Sequence, residues 1–238
     1  MKPSKPAARM TIDELASYID YSILKPEFTI QEVQDEIAKA ADLKCKTICI
    51  DPASLEDAAP MVEGTDTGIC VVVDFPFGAS TTASKVAQTE IALEYPLEDL
   101  DVVANYGWIR SGENDKVTED LKPVIDACHA KGITVKVIFE TDALTEEQIR
   151  AAAESAVAAG ADYIKTSTGF YTGRLQHGER SGAFDGVVDL MQDAAASRCK
   201  VKGSGAIRDR AHFLRLIDEG IDRMGVGYRS VPTILGLD

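Results

Sequence analysis

Five charged residues interrupt segments that otherwise read as buried strands. They are Asp20 in YIDYSIL, Asp101 in LDVVAN, Lys136 in TVKVIF, Lys165 in YIKTS and Lys202 in KVKGS. Burying a lysine is costly unless it is paired or neutral. Three on consecutive candidate strands are therefore hard to explain as surface decoration. Desolvation and cationic neighbours each push a lysine toward the free amine, the form that attacks a carbonyl. Asp101 can position a proton or a water, and Asp20 can tether a cation. Together they suggest a site that forms carbanions. Each residue alone has a plainer reading: Lys136 as pointing outward or serving only in an ion pair, and both aspartates as structural partners.

Other reactive side chains carry less. Cys49 lies in the apolar run TICI and reads as a core thiol. Ser167 and Thr168 suit hydroxyl donation to a substrate oxygen better than nucleophilic attack. His129 and His212 fall in helical segments, and no histidine joins nearby carboxylates in a metal cluster, so no metal is expected. Three glycine-bearing loops follow candidate strands. They are Thr168-Gly169, then Gly203, Ser204 and Gly205 with Arg208, then Gly225, Gly227, Arg229 and Ser230. Glycine lets backbone N–H groups turn toward a ligand, and a helix N-terminus favours an anion.

The elements that would carry these residues alternate in kind. Thr11 with Glu14 makes a capping-box signature, and Thr29 and Thr145 open further helical stretches. Strands are expected at Tyr18–Leu24, Thr47–Asp51, Ile69–Phe75, Asp99–Asn105, Ile133–Glu140, Asp162–Ser167, Cys199–Ser204 and Asp222–Val226. Pro60 should end or kink the helix over SLEDAAPMV. A strand–helix rhythm of this kind implies a parallel sheet with right-handed crossovers. Eight units allow closure into a (β/α)8 TIM barrel, whose strand C-termini form one rim. A doubly wound open sheet is the alternative on pattern alone.

The whole chain sets bounds. Its 238 residues suit one domain, expected over residues 10–238 after a disordered tail at Met1 to Arg9. Lysine and arginine number 25 against 39 acidic residues, a formal charge of −14. A field of that sign disfavours nucleic acid and anionic membranes as partners. Five scattered cysteines form no disulfide framework, and no secretory signal or membrane-length apolar run is present, so a cytoplasmic location is expected.

GADYIKTSTGF, Gly160 to Phe170, is the most specific stretch. With DLDVVANYG, VKGSGAIR, FPFGA, KVIFET and DYSILKP it resembles the deoxyribose-phosphate aldolase family, over about Ile19 to Gly236. The resemblance implies a class I aldolase of (β/α)8 fold that uses no cofactor, acts on a small aldehyde or sugar phosphate, and exists as a monomer or homodimer. It places the Schiff-base lysine on Lys165, the second active-site lysine on Lys202 and the proton-relay aspartate on Asp101. Asp20, Ser22, Cys49 and Lys136 join the glycine-loop residues as substrate-binding candidates. The chain departs from the family at Tyr21, Asp74 and Ala206 and over Gly225–Ser230, where the usual phosphate-contacting serines are missing. Arg229 and Ser230 could replace those contacts. The loop from Thr172 to Gly182, with Arg174, His177 and Arg180, could cap a different acceptor.

Overall fold

In a computed structural model describing residues 2–237, strands and helices alternate along the chain. They are α1 (Ile12–Ala16), β1 (Ile19–Ile23), α2 (Ile30–Asp42), β2 (Thr47–Ile50), α3 (Leu55–Val62), β3 (Gly68–Val73), α4 (Thr82–Ala92) and β4 (Asp99–Val103). There follow α5 (Tyr106–Arg110), α6 (Asn114–His129), β5 (Thr134–Ile138), α7 (Glu146–Ala159), β6 (Tyr163–Lys165), α8 (Asp185–Ala195), β7 (Lys200–Ser204), α9 (Arg210–Glu219), β8 (Arg223–Gly227) and α10 (Val231–Leu235). Each strand pairs in parallel with the next, and β8 closes on β1 to complete the barrel. The open sheet is thereby ruled out.

Local chemistry explains the helix limits. The Thr11, Thr29 and Thr145 hydroxyls each accept from an N–H three residues on, and Glu14, Glu32 and Gln148 reciprocate. Gly160 and Gly220 end α7 and α9 in the left-handed conformation that glycine adopts without a Cβ penalty. Pro60 neither ends nor breaks α3. It sits on the exposed face, where the carbonyl left without an N–H partner can meet water.

The strands alternate in character. Outward residues such as Ile19, Ile48, Val71, Leu100, Val137, Ile164 and Val201 form the main apolar core against the helices. The inward residues include the charged set. Leu24, Cys49, Cys70 and Val72, with Phe75 and Phe170, form a smaller apolar lining inside the barrel. Tyr21 points outward and donates to Glu36 Oε2 on α2 at 2.6 Å, so this departure from the family pattern lies in the helix layer.

The expected disordered tail needs one correction. Ala7–Arg9 forms a single 3-10 turn, because the Ala7 N–H donates to Asp218 on α9 at 2.7 Å and Ala7 is buried. Met1 lies outside the described residues.

Candidate active site

Side chains two residues apart on a strand share a face. That rule carries β4's Asp99 and Asp101 into the barrel interior together, to meet Asp20 from β1, Lys136 from β5, Lys165 from β6, Lys202 from β7 and Arg223 from β8. Asp101 is the hub. Its Oδ2 accepts from Lys165 at 2.7 Å and from Lys202 at 2.6 Å. Its Oδ1 accepts from Lys136 at 3.1 Å and from the Cys70 thiol at 3.2 Å. Lys202 also meets Asp20 Oδ2 at 2.5 Å, and Asp20 Oδ1 accepts from Thr47 and Arg223, each at 2.8 Å. Lys136 reaches Asp99 at 2.6 Å.

Burial would raise the carboxyls, yet Lys136, Lys165 and Lys202 hold Asp101 well below the usual carboxylate range. Asp20 is lowered in the same way, against burial, by Lys136, Lys202 and Arg223. At Asp99 burial outweighs Lys136, and its carboxyl is raised. Burial pushes Cys70 well up, as do the neighbouring Cys49 thiol and Asp101, so it remains a thiol that can donate. Burial alone would lower the lysines, but Asp101 and Asp20 overcome it and raise both Lys136 and Lys202. The expectation that burial drives every lysine toward the free amine is therefore corrected. Two of the three are ammoniums locked to carboxylates.

Lys165 differs by position. Among the described ion pairs it meets a single carboxylate, whereas Lys202 meets two and Lys136 three. It is also the one member of the charged set that lines the cavity of about 230 Å³ at the strand C-termini. Lys202 and Asp101 lie beneath it, fully buried.

The same cavity is lined by Ser22, Thr168, Gly169, Ser204, Gly205, Arg208, Gly225, Gly227 and Ser230. Other expected ligand residues stand elsewhere. Asp20 and Lys136 are buried below, as partners of the hub. Cys49 lies in the inner apolar lining. Gly203 faces the helix layer, where a Cβ would stand 2.7 Å from Ile221 and 3.1 Å from Ala183. Arg229 is exposed and lies over the Tyr228 ring, 5.2 Å from its centroid. Thr168 spends its hydroxyl proton on Glu140, and Ser167 pairs with Thr141 at 3.0 Å, so both brace the loop after β5. Arg174, His177 and Arg180 do not line the cavity. Arg180 covers Phe184, and His177 meets the Thr141 carbonyl.

Sequence reading missed Lys25 and Phe170 in the cavity wall, and Asp99 and Arg223 in the charged set. The signal for the last two was present. Asp99 precedes Asp101 by two, and Arg223 precedes Gly225 by two. Two triads bring metal-ligand atoms within 4.8 Å: Cys49, Cys70 and Asp101, and Asp20, Cys70 and Asp99. Neither favours a divalent cation, since Lys136, Lys165 and Lys202 already occupy Asp101, Lys136 and Arg223 occupy Asp20 and Asp99, and all repel another positive charge.

Residues 14–229 match the family model described as DeoC/LacD family aldolase. The chain is 39% identical over 211 residues to deoxyribose-phosphate aldolase of Desulfitobacterium hafniense, covering 89% of this chain and 93% of that one. It is 39% identical over 223 residues to the enzyme of the same name from Staphylococcus haemolyticus, covering 94% and 96%. The tetrameric deoxyribose phosphate aldolase structure from Aeropyrum pernix superposes with a TM-score of 0.84 at 26% identity, covering 96% of this chain and 93% of that one.

Proposed function

Because this chain belongs to the DeoC/LacD family of aldolases, we propose that it interconverts 2-deoxy-D-ribose 5-phosphate with acetaldehyde and D-glyceraldehyde 3-phosphate through a Schiff base on Lys165. One observation carries the reading: of the three strand lysines, the one that meets a single carboxylate among the described ion pairs also opens to the cavity.

In the synthetic direction, the Lys165 amine attacks the acetaldehyde carbonyl and the carbinolamine loses water to give an iminium. The iminium is the electron sink that lets a proton leave the neighbouring carbon. The resulting enamine carbon forms the new bond to the acceptor aldehyde, whose oxygen takes up a proton. Hydrolysis then returns the free amine. Asp101, with its Oδ2 shared by Lys165 and Lys202, is placed to move those protons, with a water completing the reach.

Cations in the cavity wall support an anionic acceptor. Lys25 and Arg208 line that wall beside Ser230 and the glycines of the loops after β7 and β8. A carboxylated aldehyde would meet the same cations, and Ala206, at a position that is glycine in the family pattern, favours keeping that reading. A screen of acetaldehyde against phosphorylated, carboxylated and neutral acceptors separates them. The chain acts in this reading as a monomer or homodimer, which sedimentation distinguishes from a tetramer. No helix among the described residues is long and apolar enough to cross a membrane.

Borohydride added with acetaldehyde should leave a reduced two-carbon adduct on Lys165, located by peptide mass. Lys165→Met should carry none. Turnover without any trappable adduct in the folded protein would instead favour a non-covalent acid–base isomerase or lyase.

A further inference from the structure

Four members of the charged set, Asp20, Asp99, Lys136 and Arg223, take no part in the chemistry above. Asp99 and Arg223 border the broad depression of about 980 Å³ at the other end of the barrel interior. Neither lines the substrate cavity. They meet each other at 3.5 Å, and from them two arms run upward. Along one, Asp99 holds Lys136 at 2.6 Å, and Lys136 donates to Asp101 Oδ1 at 3.1 Å. Along the other, Arg223 holds Asp20 Oδ1 at 2.8 Å, Asp20 Oδ2 holds Lys202 at 2.5 Å, and Lys202 donates to Asp101 Oδ2 at 2.6 Å. The arms end on different oxygens of one carboxylate, so between them they fix how that carboxylate is turned.

We propose that Asp99 and Arg223 are positioning residues for the aldol reaction, which orient Asp101 and set the charge of the buried cluster from below, without touching substrate. The inference rests on the aldolase reading given above. With all groups ionised, three carboxylates (Asp20, Asp99 and Asp101) face four cations (Lys136, Lys165, Lys202 and Arg223). That balance leaves one surplus positive charge, and release of one proton by a lysine neutralises it. Removing the Asp99 charge makes the cluster more positive and eases proton release. Removing the Arg223 charge does the reverse. The titratable groups beside the pair are Asp20 on β1, Cys70 on β3, Lys136 on β5 and Tyr163 on β6, with Asp101 on β4, Lys165 on β6 and Lys202 on β7 beyond them in the cluster. Lys2, Glu98, Asp162, Arg198, Cys199, Lys200, Glu219 and Asp222 also line the depression.

The test is the pH dependence of kcat and KM for Asp99→Asn, Arg223→Met and the double variant, with borohydride trapping of the unaltered protein alongside. Each single variant should lose about tenfold in kcat, with KM held within about twofold because the cavity wall is intact. The acidic limb of the rate profile should move to lower pH in Asp99→Asn and to higher pH in Arg223→Met, by about one unit each. In the double variant the limb should return while kcat stays low. Shifts of the same sign, unmoved limbs, or a loss confined to KM would overturn the inference. If either variant fails to fold, Asp99→Glu and Arg223→Lys keep the charges, and must then lower kcat with the limb in place; a shifted limb or an unchanged kcat overturns the inference equally. A trappable adduct in the unaltered protein without the signed shifts sinks this inference alone. Absence of any adduct sinks the aldolase reading and this one with it.

Discussion

At Asp101 the two carboxylate oxygens have separate duties. Oδ1 is anchored by Lys136 and Cys70, and Oδ2 is shared between the cavity lysine and Lys202. Held far below its ordinary range, the group stays a carboxylate through the working pH and receives a proton only in passing. Asp101→Asn keeps the shape and removes the charge. Lys165 keeps its place at the cavity, so the borohydride adduct should still form with acetaldehyde. Turnover should fall by about 10²- to 10⁴-fold, the usual scale for losing an acid–base group. Loss of the adduct together with turnover, in a folded variant, would show that Asp101 is needed for Schiff-base formation itself rather than for the proton steps. An unchanged rate would remove it from the mechanism.

Among the elements, the loops beyond β3 and β4 need an anchor, and α4 and α6 supply it. Lys85 of α4 is fully buried and donates to Asp120 of α6 at 2.5 Å and to the Val103 carbonyl at 3.1 Å, with Asp74 at 3.6 Å. Asp74 has a φ of 53° and accepts from the Ser80 N–H at 3.1 Å. An acidic residue suits this place because it caps its own loop beside the Lys85 ammonium. Lys85→Met leaves the buried Asp120 carboxylate with the Thr82 hydroxyl but without its counter-charge, and should destabilise the protein by about 3–5 kcal/mol. Denaturant unfolding measures this, and a cost under about 1 kcal/mol would mean that water reaches Asp120. The eight strands and the longer helices were legible because burial imposes a period on them and threonine caps mark their starts. The helices α5 and α10 were not. A five-residue helix shows little more than one turn of periodicity, and α5 is fixed mainly by Asn105, whose side chain accepts from the Trp108 N–H at 3.1 Å. At the site, the lysines and Asp101 were legible as charge inside apolar strands. The places of Gly203 and Arg229 were not, because a glycine in a strand reads alike whether a ligand or a helix approaches it, and a loop cation can turn either way.

Over the whole molecule two electrostatic layers act in opposite senses. Asp20 and Asp101 have folded values below their unfolded ones, so their stabilisation is complete above about pH 4 and is lost as pH falls toward the folded values. Lys136 and Lys202 are raised, so theirs is complete below about pH 10 and is lost as pH climbs through the folded values. Asp99 and Glu140 are raised carboxyls and oppose the first pair as pH rises through their own range, which blunts the acid side. Between these limits the inner layer should leave the thermal midpoint flat. The outer layer carries most of the acidic excess behind the chain's formal charge of −14, and it repels itself. Salt screens exposed charges far better than buried ones. At neutral pH added potassium chloride should therefore raise the midpoint, while the acid and alkaline edges stay where the buried cluster puts them. Calorimetric scans across pH at low and high salt separate the layers. A midpoint that falls with salt would mean that exposed pairs such as Arg198–Glu154, at 2.6 Å, outweigh the shell's repulsion. Edges that move with salt would mean that the charged column is open to solvent.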